Sequence, residues 1–177
     1  MIFDMNIILI GMPGCGKSTI GVLLAKAMLY HFVDTDLLLQ NEYGVSLCDL
    51  IEKHGLDGFK ICENEILSRI SCENTVIATG GSAVYCEDGM KNLKENGICV
   101  YLKLSPAEIE KRIDNITTRG IAMEKGSTID LLYLERAPLY EKYADVTLEC
   151  GNMSIESCVF AVLKAVEKEI TKNKGTV

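Results

Sequence analysis

The sequence contains no tryptophan, only three prolines and two histidines, and no apolar run long enough to cross a membrane. A membrane-spanning helix needs about 20 predominantly apolar residues, so we expect no such span. Two histidines and scattered cysteines do not make a zinc-binding pattern. The eight cysteines include no Cys-x-x-Cys pair, and we expect no secretory leader before the first apolar run. We therefore expect free, mostly buried thiols in a reducing cytoplasm.

Positive charge is also in short supply. The chain has 18 lysines and arginines against 25 acidic residues, a net charge of −7 at pH 7. Such a surface repels phosphate backbones, so neither nucleic acid nor an anionic membrane is an expected partner. The 177 residues, 48% hydrophobic and 24% charged, fit one globular domain over 1–177. The sequence leaves the oligomeric state open, and a monomer is compatible with it.

Short apolar runs alternate with helical patterns along the chain. We predict strands at 5–10, 31–34, 75–79, 98–104 and 145–150. Helical spacing covers 17–30, 36–43, 46–71 with a break near 55–58, 87–96, 105–115, 128–143 with a kink or break at Pro138, and the chain from about 154. This alternation predicts an α/β fold of three layers, α/β/α, around a five-stranded parallel sheet. Ligands of such sheets bind at the carboxyl ends of the strands.

The segment GMPGCGKS at 11–18 matches the phosphate-binding loop pattern G-x-x-x-x-G-K-[ST] at every fixed position. Its backbone N–H groups and the start of the next helix would cradle phosphates, although an ordinary glycine-rich turn is the alternative. Lys17 would reach the β- and γ-phosphates of ATP, and Ser18 would bind Mg²⁺. No Asn-Lys-x-Asp segment follows a later strand, which argues against a GTPase and favours a small phosphotransferase. The predicted nucleotide contacts are Gly11, Gly14, Cys15, Gly16, Lys17, Ser18 and Thr19.

Two aspartates close the second predicted strand, in FVDTD. Asp34 and Asp36 are two residues apart, so in an extended chain both carboxylates would project to the same side. One could hold the water shell of a metal, and the other could orient an attacking hydroxyl and accept its proton. The alternative is a helix-capping aspartate with a solvated neighbour.

With these segments in view, the chain resembles the shikimate kinases, which belong to the nucleoside-monophosphate-kinase-like group of P-loop folds. The resemblance extends from the phosphate loop to about Asp145 and rests on GMPGCGKST, DTD, GFKICENE, ATGGSAV, RG at 119–120 and ERAPLYEKYAD. It implies transfer of a phosphoryl group from ATP, with Mg²⁺, to the 3-hydroxyl of shikimate in aromatic amino-acid biosynthesis by the chorismate route. It also implies acceptor-binding helices over about 36–71 and a mobile lid over about 116–126.

The resemblance assigns roles to single residues. Asp36 would bind the acceptor hydroxyl and act as the base, Asp34 would lie near Mg²⁺, and Arg136 would pair with the substrate carboxylate. The other implied positions are Gly80 and Gly81, as backbone N–H donors after the third strand, Arg119, which would neutralise the transferred phosphoryl group from the closing loop, and Arg112, against adenine. Arg119 could instead be a solvated loop charge, and Arg136 could form a surface ion pair with Glu135 or Glu141.

The match with the family is incomplete in three places. Lys60 stands where the family has arginine, and a lysine grips a carboxylate less selectively; it could also be an exposed helix lysine. Ser82 replaces a third glycine, so its side chain narrows the acceptor pocket or adds a hydroxyl contact. Residues 120–122 replace a proline-leucine pattern after Arg119. A kinase of another small hydroxy acid or polyol therefore remains an alternative, and so does a regulatory module that binds ATP without transferring phosphate.

Overall fold

The structure is a computed structural model that describes residues 5–112, 121–124 and 126–174. Five strands form one parallel sheet in the order β2-β3-β1-β4-β5. Every residue of β1 and β3 is buried. Successive side chains of a strand point to opposite faces, so both faces of the central sheet are covered. The strands are β1 (Asn6–Ile10), β2 (His31–Asp34), β3 (Thr75–Ala78), β4 (Gly97–Lys103) and β5 (Val146–Glu149).

Seven helices are described between and after these strands, and together they confirm the predicted α/β fold. A short 3₁₀ turn, Ala83–Tyr85, follows β3. The predicted end of the fifth helix near residue 115 lies outside the described residues. The helices are α1 (Lys17–Met28), α2 (Thr35–Tyr43), α3 (Leu47–Arg69), α4 (Glu87–Glu95), α5 (Pro106–Arg112), α6 (Ile129–Tyr143) and α7 (Ile155–Lys174). No helix in these described ranges is both long and apolar enough to cross a membrane.

Two apolar clusters hold the elements together. The larger one fills the space around the sheet and includes the buried side chains of β1 and β4. The smaller one joins α2 to α3 through Leu39, Leu50 and Phe59 and extends to Ala122. This second cluster fixes α2 and α3, the predicted acceptor-binding helices, beside the carboxyl ends of β2 and β3.

The two helix irregularities predicted from sequence have different outcomes. The break in α3 is confirmed, because Gly55 has a non-helical backbone (φ 70°, ψ 177°) at a kink between two helical pieces. Of the kink or break predicted at Pro138, the break is wrong, because α6 continues through this residue, and the kink stays a prediction. Proline removes the N–H that would bond to the carbonyl of Leu134. Both residues lie on the exposed side of α6, where solvent can reach that carbonyl, and Arg136 and Tyr140 are buried on the other side.

Candidate active site

The segment 11–18 connects β1 to α1 in the way the phosphate-loop pattern predicts. Gly11, Gly14 and Gly16 have φ values of 144°, 81° and 100°, which side chains with a Cβ rarely adopt. The side chain of Lys17 folds back across the loop, and its Nζ donates to the carbonyl oxygens of Gly11 at 2.7 Å and Met12 at 3.0 Å. The ammonium group is thus held inside the loop, next to the backbone that would receive phosphates.

A cavity of about 630 Å³ opens beside this loop. It brings together the carboxyl ends of β1, β2 and β3 with the starts of α1, α2 and α3. Gly11, Cys15, Lys60 and Gly80 are not among the described residues that line it, and Arg119 lies outside the described residues. The predicted site residues that do line it are Gly14, Gly16, Lys17, Ser18, Thr19, Asp34, Asp36, Gly81, Ser82, Arg112 and Arg136.

Asp34 and Asp36 both line the cavity, but the chain between them is not extended as predicted. It turns into α2 at Thr35, and Oδ1 of Asp34 caps this helix by accepting the N–H groups of Asp36 at 3.0 Å and Leu37 at 3.4 Å. Asp36 therefore lies in the first helical turn. Burial, with a further contribution from Asp34, raises the pKa of Asp36 to about 6, while Lys17 acts in the opposite direction. A carboxyl with this pKa is mostly ionised at pH 7 and still a useful proton acceptor.

Most polar groups of the segment after β3, where substrate contacts were expected, make hydrogen bonds within the protein instead. The N–H of Gly80 is not free for a substrate, because it donates to Oγ1 of Thr35 at 3.0 Å. The hydroxyl of Ser82 does not stand free in the cavity either, because it donates to Oε2 of Glu63 at 2.6 Å. The carbonyl of Gly81 accepts from the phenol of Tyr140 at 2.6 Å. Local hydrogen bonds therefore use most of the polar groups of this segment.

Glu63 is a buried acid to which the sequence assigned no role. Its side chain is inaccessible to solvent, and its Oε1 has no hydrogen-bond partner among the described residues. Burial is the main cause that raises the pKa of Glu63 to about 7. A sequence signal did exist, because position 63 shares a helical face with the apolar residues Phe59, Ile66 and Leu67. An acid on such a face has to be protonated or paired.

Arg136 is buried in the wall of the cavity, with 1% of its surface exposed. Its Nη2 donates to the carbonyl of Ala122, and its Nε donates to the phenol oxygen of Tyr85 at 3.2 Å. A surface ion pair is therefore the wrong alternative. Glu141 instead pairs with Lys103, and Glu135 accepts from Tyr85.

The other two predicted cations within the described residues are less buried. Nζ of Lys60 lies 3.7 Å from Oδ1 of Asp57 and 4.7 Å from the centroid of the Tyr85 ring. Arg112, at the end of α5, is exposed, and its Nη2 donates to the carbonyl of Gly151 at 3.4 Å. Arg112 is thus at the cavity, whereas Lys60 is outside its lining.

Comparisons with known proteins agree on one family. A family model described as shikimate kinase matches residues 13–167. A shikimate kinase of Bordetella avium is 35% identical over 173 residues, which cover 94% of this chain and 83% of the relative. One from Caldanaerobacter subterraneus is 33% identical over 166 residues, 92% of this chain and 96% of the relative.

Solved structures give the same result. A shikimate kinase from Acinetobacter baumannii, solved in complex with shikimate, has a TM-score of 0.87 and 28% identity, covering 94% of this chain and 95% of that one. A thymidylate kinase from Candida albicans, at 11% identity and a TM-score of 0.65 over 93% and 92% of the two chains, shares the fold.

Proposed function

Since the chain belongs to the shikimate kinase family, we propose that it transfers the γ-phosphoryl group of ATP to the 3-hydroxyl of shikimate, a step in aromatic amino-acid biosynthesis. One observation carries this proposal. A single cavity is lined by Lys17 of the phosphate loop and by Asp36 and Arg136. A phosphate donor and a carboxylate-bearing alcohol would therefore meet in it.

At the nucleotide end, the loop is preorganised for a polyphosphate. The backbone conformations of its glycines turn successive N–H groups towards the phosphate site. The positive end of α1, which begins at Lys17, faces the same site. When phosphate enters, Lys17 would exchange the carbonyl oxygens of Gly11 and Met12 for β- and γ-phosphate oxygens. Arg112 would pack against adenine, as the family resemblance implies.

The oxygen donors beside the loop suit Mg²⁺. The Ser18 hydroxyl and the Asp34 carboxylate line the same cavity as the loop, and Mg²⁺ in kinases is held by few protein oxygens together with substrate phosphates. Ser18 and Asp34 would hold the ion, directly or through water. When bound, it neutralises charge on the transferred phosphoryl group.

At the acceptor end, Asp36 is the proposed base. Its carboxylate would take the proton of the 3-hydroxyl while that oxygen bonds to the γ-phosphorus. The bond between the γ-phosphorus and the bridging oxygen then breaks, and ADP leaves. Arg136 would hold the acceptor carboxylate, with Gly81 in the adjoining wall, and Arg119 would neutralise the phosphoryl group as the resemblance implies.

The proposed compartment is the cytoplasm. All eight cysteines are free thiols, and six of them are buried, as suits a reducing environment. The proposed partner is the small-molecule acceptor.

The proposal is tested by mixing the purified protein with Mg·ATP and shikimate and following ADP and shikimate together. We expect one ADP per shikimate consumed and a shikimate 3-phosphate signal in the ³¹P NMR spectrum. ADP release that shikimate does not accelerate would contradict the proposal. Acceleration by another hydroxy acid or polyol would then favour the kinase alternative, and slow ATP hydrolysis without any acceptor would favour the regulatory module.

A further inference from the structure

Tyr85 contacts the guanidinium of Arg136 in two ways. Its phenol oxygen accepts from Nε at 3.2 Å, and its ring centroid lies 5.3 Å from Cζ. Nη2 of the same guanidinium donates to the carbonyl of Ala122. Nη1 lies beside Gly81, 3.1 Å from the position that a Cβ would take there. Held through Nε and Nη2, the guanidinium keeps Nη1 at the Gly81 wall of the cavity.

The phenol of Tyr85 has a fixed hydrogen-bond direction. Its O–H donates to Oε1 of Glu135 at 2.6 Å, which leaves the oxygen lone pairs for the N–H of Arg136. Burial raises the pKa of Tyr85, so the phenol keeps its proton at neutral pH. Glu135, Tyr85 and Arg136 thus form a chain of hydrogen bonds that runs in one direction.

The same ring holds a second cation. Nζ of Lys60 lies 4.7 Å from the centroid of Tyr85, within the range of cation–π attraction. Lys60 does not line the cavity, whereas Arg136 does. The negative face of the Tyr85 ring attracts both cations, in addition to the ion pair that Lys60 makes with Asp57.

We propose that Tyr85 is a positioning residue for recognition of the acceptor carboxylate. Its phenol and ring fix Arg136 towards the cavity and hold Lys60 beside it as a supporting charge. The proposal rests on the proposed function for the identity of the acceptor. The part that concerns how Arg136 is held rests on the contacts of Tyr85 alone.

The kinetic test compares shikimate with shikimate methyl ester, which lacks the negative charge. Tyr85→Phe removes the hydrogen bond to Nε and keeps the ring. We expect the KM for shikimate to rise roughly tenfold, as for the loss of one hydrogen bond to a charged group, with kcat within about twofold. The KM for the ester should hardly change, so the preference for the acid falls. Tyr85→Leu, which removes the ring as well, should lower this preference further.

The matched control is Tyr143→Phe. Tyr143 ends the same helix α6, carries Lys142 5.2 Å from its ring centroid and does not line the cavity. We expect its acid-to-ester preference to equal that of the wild type. If Tyr85→Phe fails to fold, Glu135→Gln replaces it, because a neutral amide holds the phenol hydrogen less tightly and should shift the preference in the same direction.

A measurement without substrate decides the contact itself. The ¹⁵Nε–¹H NMR signal of Arg136, assigned by its loss in Arg136→Lys, should be protected from solvent exchange in the wild type and in Tyr143→Phe. It should exchange at least tenfold faster in Tyr85→Phe. Equal exchange rates in the wild type and in Tyr85→Phe would overturn the inference. An equal rise of KM for shikimate and for its methyl ester in Tyr85→Phe would overturn it as well. Absence of any reaction of the wild type with shikimate would instead overturn the proposed function, and the exchange rates would still decide whether Tyr85 holds Arg136.

Discussion

Ser82 donates a 2.6 Å hydrogen bond to Oε2 of Glu63, a carboxyl group that is completely buried beside the cavity. The other oxygen of this carboxyl has no hydrogen-bond partner among the described residues. Ionising a buried carboxyl group that has a hydrogen-bond partner on only one oxygen lowers the stability of the folded state. The serine that interrupts the glycine run of the family is therefore a structural partner of Glu63.

Replacing Ser82 by alanine should lower the free energy of unfolding by about 1–3 kcal/mol, because Oε2 of Glu63 loses its hydroxyl donor. Urea denaturation of the two proteins measures this difference. Ser68→Ala is the matched control, since the hydroxyl of Ser68 donates only to the carbonyl of Asn64 in its own helix and should matter by less than about 0.5 kcal/mol. Equal effects of the two substitutions would contradict the role of Ser82.

Glu63→Gln should change how stability depends on pH. Burial, reinforced by Asp36 and opposed by Ser82, Arg136 and Cys86, raises the pKa of Glu63 from 4.5 to about 7. The folded state thus holds the proton of Glu63 more tightly than the unfolded state, so this contribution is fully favourable below pH 4.5 and is lost as the pH rises through 7. Relative to that of the wild type, the free energy of unfolding of the variant should rise by up to about 3 kcal/mol between pH 4.5 and 8. Chemical denaturation across this range measures the gain, and a constant difference would contradict the pKa.

Gly80→Ala should displace the proposed base. A Cβ at Gly80 would overlap Oε1 of Glu63 and would lie 2.7 Å from Oδ1 of Asp36. Both contacts are too short for a Cβ, so both carboxyl groups must shift, and a shift of about 1 Å in a reacting group costs roughly 10²-fold in rate. We expect kcat to fall by this order while the affinity for ATP stays within about twofold. A normal kcat would show that the site tolerates the extra methyl group.

Asp36→Asn should remove the proposed base without disturbing the phosphate loop. We expect phosphoryl transfer to fall at least roughly 10²-fold, in line with the loss of a general base, and nucleotide affinity measured by calorimetry to stay within about twofold. Asp130→Asn, an exposed substitution in the first turn of α6, is the control and should retain full activity. Equal loss of transfer and of nucleotide binding would argue that Asp36 supports the loop instead.

Lys60→Arg should lower the KM for shikimate several-fold if this cation assists Arg136, because a guanidinium binds a carboxylate with two donors and an ammonium with one mobile charge. Lys53→Arg is the control, since Lys53 is an exposed lysine of the same helix. An unchanged KM for the Lys60 variant would indicate that Lys60 takes no part in acceptor binding and only packs against the ring of Tyr85.

Several features were predictable because the signal is local. The phosphate loop follows from glycine backbone freedom and one lysine, and the kink at Gly55 follows from glycine inside a helical pattern. The break at Pro138 was predicted wrongly, because a local signal was outweighed by tertiary packing. Proline weakens a helix locally, but the burial of Arg136 and Tyr140 on the other side of α6 outweighs the loss of one hydrogen bond.

The sequence by itself determined the α/β fold and the type of site, because the period of apolar residues and the loop spacing depend on neighbours a few positions apart. Only the tertiary structure decided how the acceptor side is built. Glu63 meets Ser82, and Tyr85 meets both Lys60 and Arg136, across separations of 19 to 51 residues. Which polar groups face each other over such distances is set by the packing of α3 and α6 around the end of β3, and no local pattern encodes it.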